Sequence, residues 1–116
     1  MKYFDLNEFD SPDQLGSGEE MKQPFLNKLE VARARAGVPF IINSGFRTIE
    51  HNRSVGGVEN SAHTKGWAAD IACDNDNKFK ILEGLIFAGF NRIGIASNFI
   101  HADCDPSKNA NRIWTY

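Results

Sequence analysis

The stretch Ser61-Ala62-His63-Thr64-Lys65-Gly66-Trp67-Ala68-Ala69-Asp70-Ile71-Ala72-Cys73 divides at its glycine into a loop and a strand. From Trp67 to Cys73 the residues are apolar apart from one acid, which predicts a strand. Strand side chains alternate between two faces, so Asp70 shares a face with Ala68 and Ala72. Both alanines are small and leave room around the carboxylate. Gly66 has no Cβ and lets the loop carrying His63 fold back towards Asp70.

Downstream, Arg92–Ile95 and Phe99–Cys104 are two further strand candidates, and Ala96-Ser97-Asn98 is short enough to be a hairpin loop between them. In the second of these, Phe99, His101 and Asp103 share one face. Upstream, Met21, Phe25, Leu29, Ala32 and Ala36 recur at helical spacing. The predicted helix starts near Gln23 with Pro24 in its first turn, and Gly37 and Pro39 end it. Phe40-Ile41-Ile42 reads as a short buried strand. Thr48 is placed to cap a short helix through Val55, which Gly56-Gly57 break. Phe79, Leu82, Leu85 and Ile86 predict the apolar face of a second long helix, ended by Gly89. Residues 1–22 read as irregular, and Ile113-Trp114-Thr115-Tyr116 is expected to dock on the body. With no internal repeat or linker, the expectation is one α+β domain over 1–116. It should have a mainly antiparallel sheet and two long helices.

The chain has 116 residues, 41% hydrophobic and 24% charged, with a formal net charge of -2. That profile suits one globular domain with a core of its own and supplies no basic field for nucleic acid or anionic lipid. No apolar run reaches the roughly 20 residues needed to cross a bilayer. MKYFDLNEFD carries acids where a signal peptide has its apolar stretch, so synthesis in the cytoplasm is expected. The two cysteines, Cys73 and Cys104, form no CxxC pair, which argues against a thiolate metal site.

Of three histidines, two stand in unusual company. His63, Asp70 and His101 would supply the three N/O ligands of a hydrolytic zinc site and leave a fourth position for water. Such a site lowers the pKa of the water it holds and makes it a nucleophile near neutral pH. Taken singly, each residue has a plainer reading: a surface or hydrogen-bonded histidine, a strand-end carboxylate, a partner for Lys65. His51 reads as a helix-surface residue, and Trp67 as core packing.

Ser-x-His-x-x-Gly-x-Ala-x-Asp-Ile, Ser61 to Ile71 here, resembles the signature of the zinc D-Ala-D-Ala peptidase family. That family includes peptidoglycan carboxypeptidases, D-Ala-D-Ala dipeptidases and phage L-Ala-D-Glu endolysins, and shares its fold with hedgehog signalling domains. Ser44-Gly45-Phe46-Arg47-Thr48 upstream and Phe99-Ile100-His101-x-Asp103 downstream agree in order and spacing, and the resemblance covers about residues 3–116. It implies Zn2+ on His63, Asp70 and His101, and a monomer acting on peptidoglycan stem peptides. It also suggests association with phage or prophage, with action on the wall after lysis or delivery. Arg47 falls where the family reaches the substrate carboxylate or polarises the scissile carbonyl; its plainer reading is an ion pair with Glu50. Ser61 could bind substrate or cap its own loop. Several branches place an acidic general base three residues before the last histidine, where this chain has Asn98. Asp103 is then the best base, although it could instead orient a ligand or bind the metal itself. An alternative function is a zinc-containing module of weak or lost activity on the same fold.

One structural expectation concerns the cysteines. Each follows a ligand by three residues, so each faces away from the metal, and both should lie on the back of the sheet. If the ligand strands are neighbours, their Cα atoms should be within about 7 Å, as free thiols.

Overall fold

The computed structural model describes residues 1–116. Five strands form one mixed sheet: β1 (Ile42–Ser44), β2 (Ala68–Ala72), β3 (Arg92–Ile95), β4 (Phe99–Asp103) and β5 (Arg112–Thr115), in the order β1-β2-β4-β3-β5. The three pairings within β1-β2-β4-β3 are antiparallel. The docked tail is itself a strand, since β5 runs parallel to β3 and makes the sheet mixed. Parallel pairing needs a long return, which residues 104–111 provide.

Three helices accompany the sheet: α1 (Gln23–Ala36), α2 (Ile49–Ser54) and α3 (Lys78–Phe87). α1 begins with Pro24 in its first turn and ends on Gly37 at φ 69°, as the sequence predicts. Thr48 caps α2, its hydroxyl accepting the His51 amide at 3.1 Å. α3 forms where expected, and Leu85 and Leu82 pack inward as predicted, but the helix is rotated from the predicted face. Ile81, Gly84 and Leu85 are buried against α1, while Phe79 is 77% exposed and Ile86 also faces outward. Both stripes have helical spacing, and a small residue decides between them. Gly84 fits against Ala32 and Ala36 where the helices come closest, and that contact sets the rotation of α3.

The back of the sheet carries the core. Ile71 and Ile100 face each other across β2 and β4, Ala69 faces Ala102, and Ile93 stands beside Ala102 on β3. These join Phe25, Leu26, Leu29, Ile81 and Leu85 of the helices in one apolar cluster. Phe4, Phe9 and Phe40 extend it beneath the N-terminal segment, which is ordered as two short 3₁₀ turns, Leu6–Phe9 and Ser17–Glu20. No helix is long and apolar enough to cross a membrane.

The cysteine expectation fails on distance. Cys73 and Cys104 both pack against the core, so they share the back of the sheet. β2 and β4 are antiparallel, however, and the Cys73 amide bonds Asn98 at one end while the Cys104 amide bonds Trp67 at the other. The thiols are therefore separated by about six residue steps, roughly 20 Å at ~3.3 Å per residue. The same strand direction that puts Asp70 beside His101 sends the residues that follow each of them to opposite ends.

Candidate metal centre and cleft

Register builds the front of the sheet. One row of paired positions runs Ser44, Asp70, His101, Gly94, Trp114 across β1, β2, β4, β3 and β5. An irregularity between Ile42 and Ser44 shifts β1 by one residue and brings Ser44 opposite Asp70. The next row sets Ala68, Asp103 and Arg92 side by side. Asp70 and His101 are thus held by direct strand pairing.

His63 comes from outside the sheet, on a 3₁₀ turn over Ala62–Lys65. The Ser61 hydroxyl opens this turn by accepting the His63 amide at 3.2 Å. Gly66 closes it at φ 79°, and a Cβ there would stand 2.2 Å from the Glu20 carbonyl oxygen. Glycine is thus needed twice over, for the left-handed backbone and for the approach of the 3₁₀ turn at Ser17–Glu20. The His63 ring is only 3% exposed.

The two imidazoles are oriented from behind. His63 Nδ1 lies 2.8 Å from the Gly45 carbonyl, to which it donates, so its Nε2 lone pair faces Asp70 Oδ1 at 3.3 Å. His101 Nε2 lies 2.7 Å from Asp103 Oδ2, and its Nδ1 lies 2.9 Å from Asp70 Oδ1. Donor atoms of His63, Asp70 and His101 all fall within 4.8 Å of one another. Ligands at 2.0–2.1 Å around a tetrahedral ion are about 3.3 Å apart, so spacings of this size suit one small divalent cation. Two nitrogens and a carboxylate, each nitrogen backed by a hydrogen-bond acceptor, are also the chemistry such an ion takes.

The electrostatics show how closely these groups depend on one another. Burial pulls the His63 pKa down, and hydrogen bonding to Asp70 does not restore it. Burial pulls on His101 too, but hydrogen bonds to Asp103 and Asp70 outweigh it and the net shift is upward. For Asp70, burial is the largest single influence and acts upward. Hydrogen bonds from His101 and His63 overcome it and hold the carboxyl far below the usual range. Asp103 is likewise lowered against its burial, by His101 and Arg92.

Arg47 is the fourth group of the centre. Its Nε donates to Ser44 Oγ at 2.9 Å, Nη1 to Asn52 Oδ1 at 3.1 Å and Nη2 to Asp70 Oδ2 at 3.3 Å. Glu50 is exposed on α2 and takes no part, so the plainer ion-pair reading of Arg47 does not hold. Asp103 is 1% exposed, and three bonds engage its oxygens. Oδ2 meets His101, while Oδ1 accepts Arg92 Nε at 2.7 Å and the Asp105 amide at 3.3 Å. A carboxylate offers about four lone-pair sites, so most of this one's accepting capacity is used in holding His101 and Arg92. Asn98 is exposed in the β3–β4 hairpin, and His51 stays on α2.

These groups line a cleft of about 360 Å³. Gly56, Gly57 and Val58 form one lip; Phe99, Trp114, Tyr116 and Lys108 stand on the other side. Gly56-Gly57 reads as a groove lip in the sequence, but Asn52 and Trp114 carry no signal there as cleft residues. Asn52 is a buried side chain that receives Arg47 and donates to the Val58 carbonyl at 2.9 Å. Gly57 is tied to it, since a Cβ there would sit 2.0 Å from Asn52 Oδ1. Trp114 lies 5.4 Å from the His101 ring, over the gap that Gly94 leaves. Nothing local marks Asn52 among the polar residues of a short helix; its role comes from the lip folding over it.

The sequence profile of the peptidase M15 family matches residues 3–103. The zinc D-Ala-D-Ala carboxypeptidase of Streptomyces albus G is 34% identical over 67 residues, 57% of this chain and 26% of that protein. The chain therefore spans about a quarter of the length of that relative. The name of that relative specifies zinc, and the donor set His63, Asp70 and His101 fits such an ion. Since the profile takes in both ligand strands, the turn that carries His63 and the Arg47 segment, the chain belongs to the peptidase M15 family.

Proposed function

We propose that this zinc peptidase hydrolyses an amide bond in peptidoglycan stem peptides, of D-Ala-D-Ala or L-Ala-D-Glu type, with the metal held by His63, Asp70 and His101. The observation that carries the reading is the convergence of those three donors, with the Arg47 guanidinium beside them, on the floor of one open cleft. Bound there, zinc would activate a water and polarise a carbonyl.

The chain's own residues supply orientation and charge. Gly45 fixes the His63 tautomer and Asp103 that of His101, so each ring keeps one lone pair aimed at the same point. Ser44 and Asn52 hold the Arg47 fork rigid, and its Nη atoms can donate to a carbonyl oxygen as that oxygen gains negative charge. Asp103 serves as a positioning group in this reading, given how fully its oxygens are engaged. Ser61 caps the His63 turn and borders the cleft.

A second reading, in which metal is kept and turnover is weak or lost, is favoured by one observation. The cleft is lined by no carboxylates besides Asp70 and Asp103, and Asn98 stands where other branches have an acid. One experiment tests both readings: digestion of purified peptidoglycan by the zinc-loaded protein, with mass spectrometry of the fragments. Loss of a terminal D-Ala, or separation of L-Ala from D-Glu, is expected, with about one zinc per chain. Intact stem peptides at full zinc occupancy would establish the binding module; a folded chain that takes up no zinc would end both.

A further inference from the structure

Three cations line the cleft, Arg47, Arg92 and Lys108, and two of them are already committed. Arg47 is shared among Ser44, Asn52 and Asp70. Arg92 spends Nε on Asp103 and Nη1 on the Asn109 carbonyl at 2.6 Å, and stacks over Trp114. Lys108 differs: no carboxylate of the chain lies within ion-pairing distance of its Nζ.

Its loop is nonetheless fixed. Asp105 is buried and binds Lys65 Nζ at 3.0 Å, next to the His63 turn, while its own amide reaches Asp103. Asp105 also takes the Ser107 amide at 2.9 Å, and the Lys108 amide donates to the Asp105 carbonyl at 3.2 Å. One residue further on, Asn109 is held by Arg92. Within 106–112 only Lys108 is partly buried, and it is one of the residues that border the cleft. A braced loop that sets a lysine with no carboxylate partner at a cleft wall offers an incoming anion an uncommitted cation.

We propose that Lys108 is the carboxylate anchor of the substrate, a specificity-determining residue that selects peptides carrying a free carboxylate near the scissile amide. This rests on the stem-peptide reading above. It frees Arg47, whose Nη2 stands beside a metal ligand, for the reacting carbonyl. Three cations against two carboxylates, together with a divalent metal, give the cleft a positive field that favours such a ligand. A stem peptide offers two carboxylates of this kind, the C-terminal one and that of D-Glu.

The test uses the zinc-loaded protein and four forms of L-Ala-D-γ-Glu-L-Lys-D-Ala-D-Ala: unmodified, amidated at the C-terminus, amidated at D-Glu, and amidated at both. Lys108→Gln should raise KM about tenfold on the unmodified peptide, the scale of one partly exposed charge-assisted hydrogen bond, and leave kcat unchanged. Lys108→Arg should restore KM. On the doubly amidated peptide, wild type and Lys108→Gln should coincide, and the single amidation that removes the difference names the carboxylate. If the protein cuts none of the peptides, titration calorimetry with the same four reads the same dependence, so failure of hydrolysis does not decide this inference. Equal KM values for wild type and Lys108→Gln on the unmodified peptide would overturn it. An equal loss on the doubly amidated peptide would do the same.

Discussion

The two walls of the cleft are built by different means. The sheet wall places Asp70, His101 and Asp103 by strand register alone, with the core residues Ile71, Ile100 and Ala102 interleaved behind them. The opposite wall has almost no regular pairing. Arg47, Asn52, Gly57, Ser61 and His63 are held there by bonds between side chains and backbone, and by glycines that allow close approach. A sheet resists local distortion, because moving one residue disturbs its paired neighbours and the packing beneath. A wall of single hydrogen bonds can be adjusted one group at a time. The geometry of Asp70 and His101 depends on the first wall, and the placement of His63 and of the Arg47 charge on the second.

Breaking each wall should therefore produce a different failure. The largest effect is expected from Arg47→Lys. A lysine keeps the charge but cannot span Ser44, Asn52 and Asp70 together, so kcat/KM should fall by about 10²–10³-fold, the range seen for losing one transition-state donor. Zinc content and melting temperature should stay close to wild type. A fully active lysine variant would remove Arg47 from the chemistry.

Asp103→Asn attacks the sheet wall. The amide can no longer act as a charged acceptor for both His101 and Arg92, so zinc affinity should fall by about 10–100-fold, measured by competition with a chelator. If Asp103 is instead the general base, turnover at saturating zinc drops by about 10²–10⁴-fold while affinity is unchanged, and the division of labour between the walls is wrong.

The smallest effect is expected from Asn52→Ala. It removes a buried link between Arg47 and the Val58 lip, at a cost of about 1–3 kcal/mol in denaturant unfolding. Activity should fall less than in Arg47→Lys, and zinc affinity should not change. A loss of zinc affinity would show that Asn52 supports the ligands as well as Arg47.

Much of the sheet wall is legible in the amino-acid sequence. The alternation around Asp70 and around His101 is local, as are the proline and glycine that bound α1 and the threonine that caps α2. Each depends on residues a few positions apart, which the sequence states directly. The inward face of α3 is legible only in part: Leu82 and Leu85 pack as their period predicts, but contact of Gly84 with Ala32 and Ala36 rotates Phe79 and Ile86 outward. Docking of the tail can be read from its apolar residues, but its parallel pairing with β3 cannot, because that depends on a partner some twenty positions earlier.

By itself, then, the sequence determined the faces that Asp70 and His101 occupy, and through its family resemblance it named His63, Asp70 and His101 as candidate donors and Arg47 as their neighbour. Alternation and residue chemistry act over a few bonds and hold wherever the strand goes. Tertiary structure alone decided the direction in which β2 meets β4. That direction joins Asp70 to His101 and sends Cys73 and Cys104 to opposite ends. The antiparallel choice follows from burying Ile71 against Ile100 and Ala69 against Ala102 over the helices, a free energy spread through the whole core that no local pattern records.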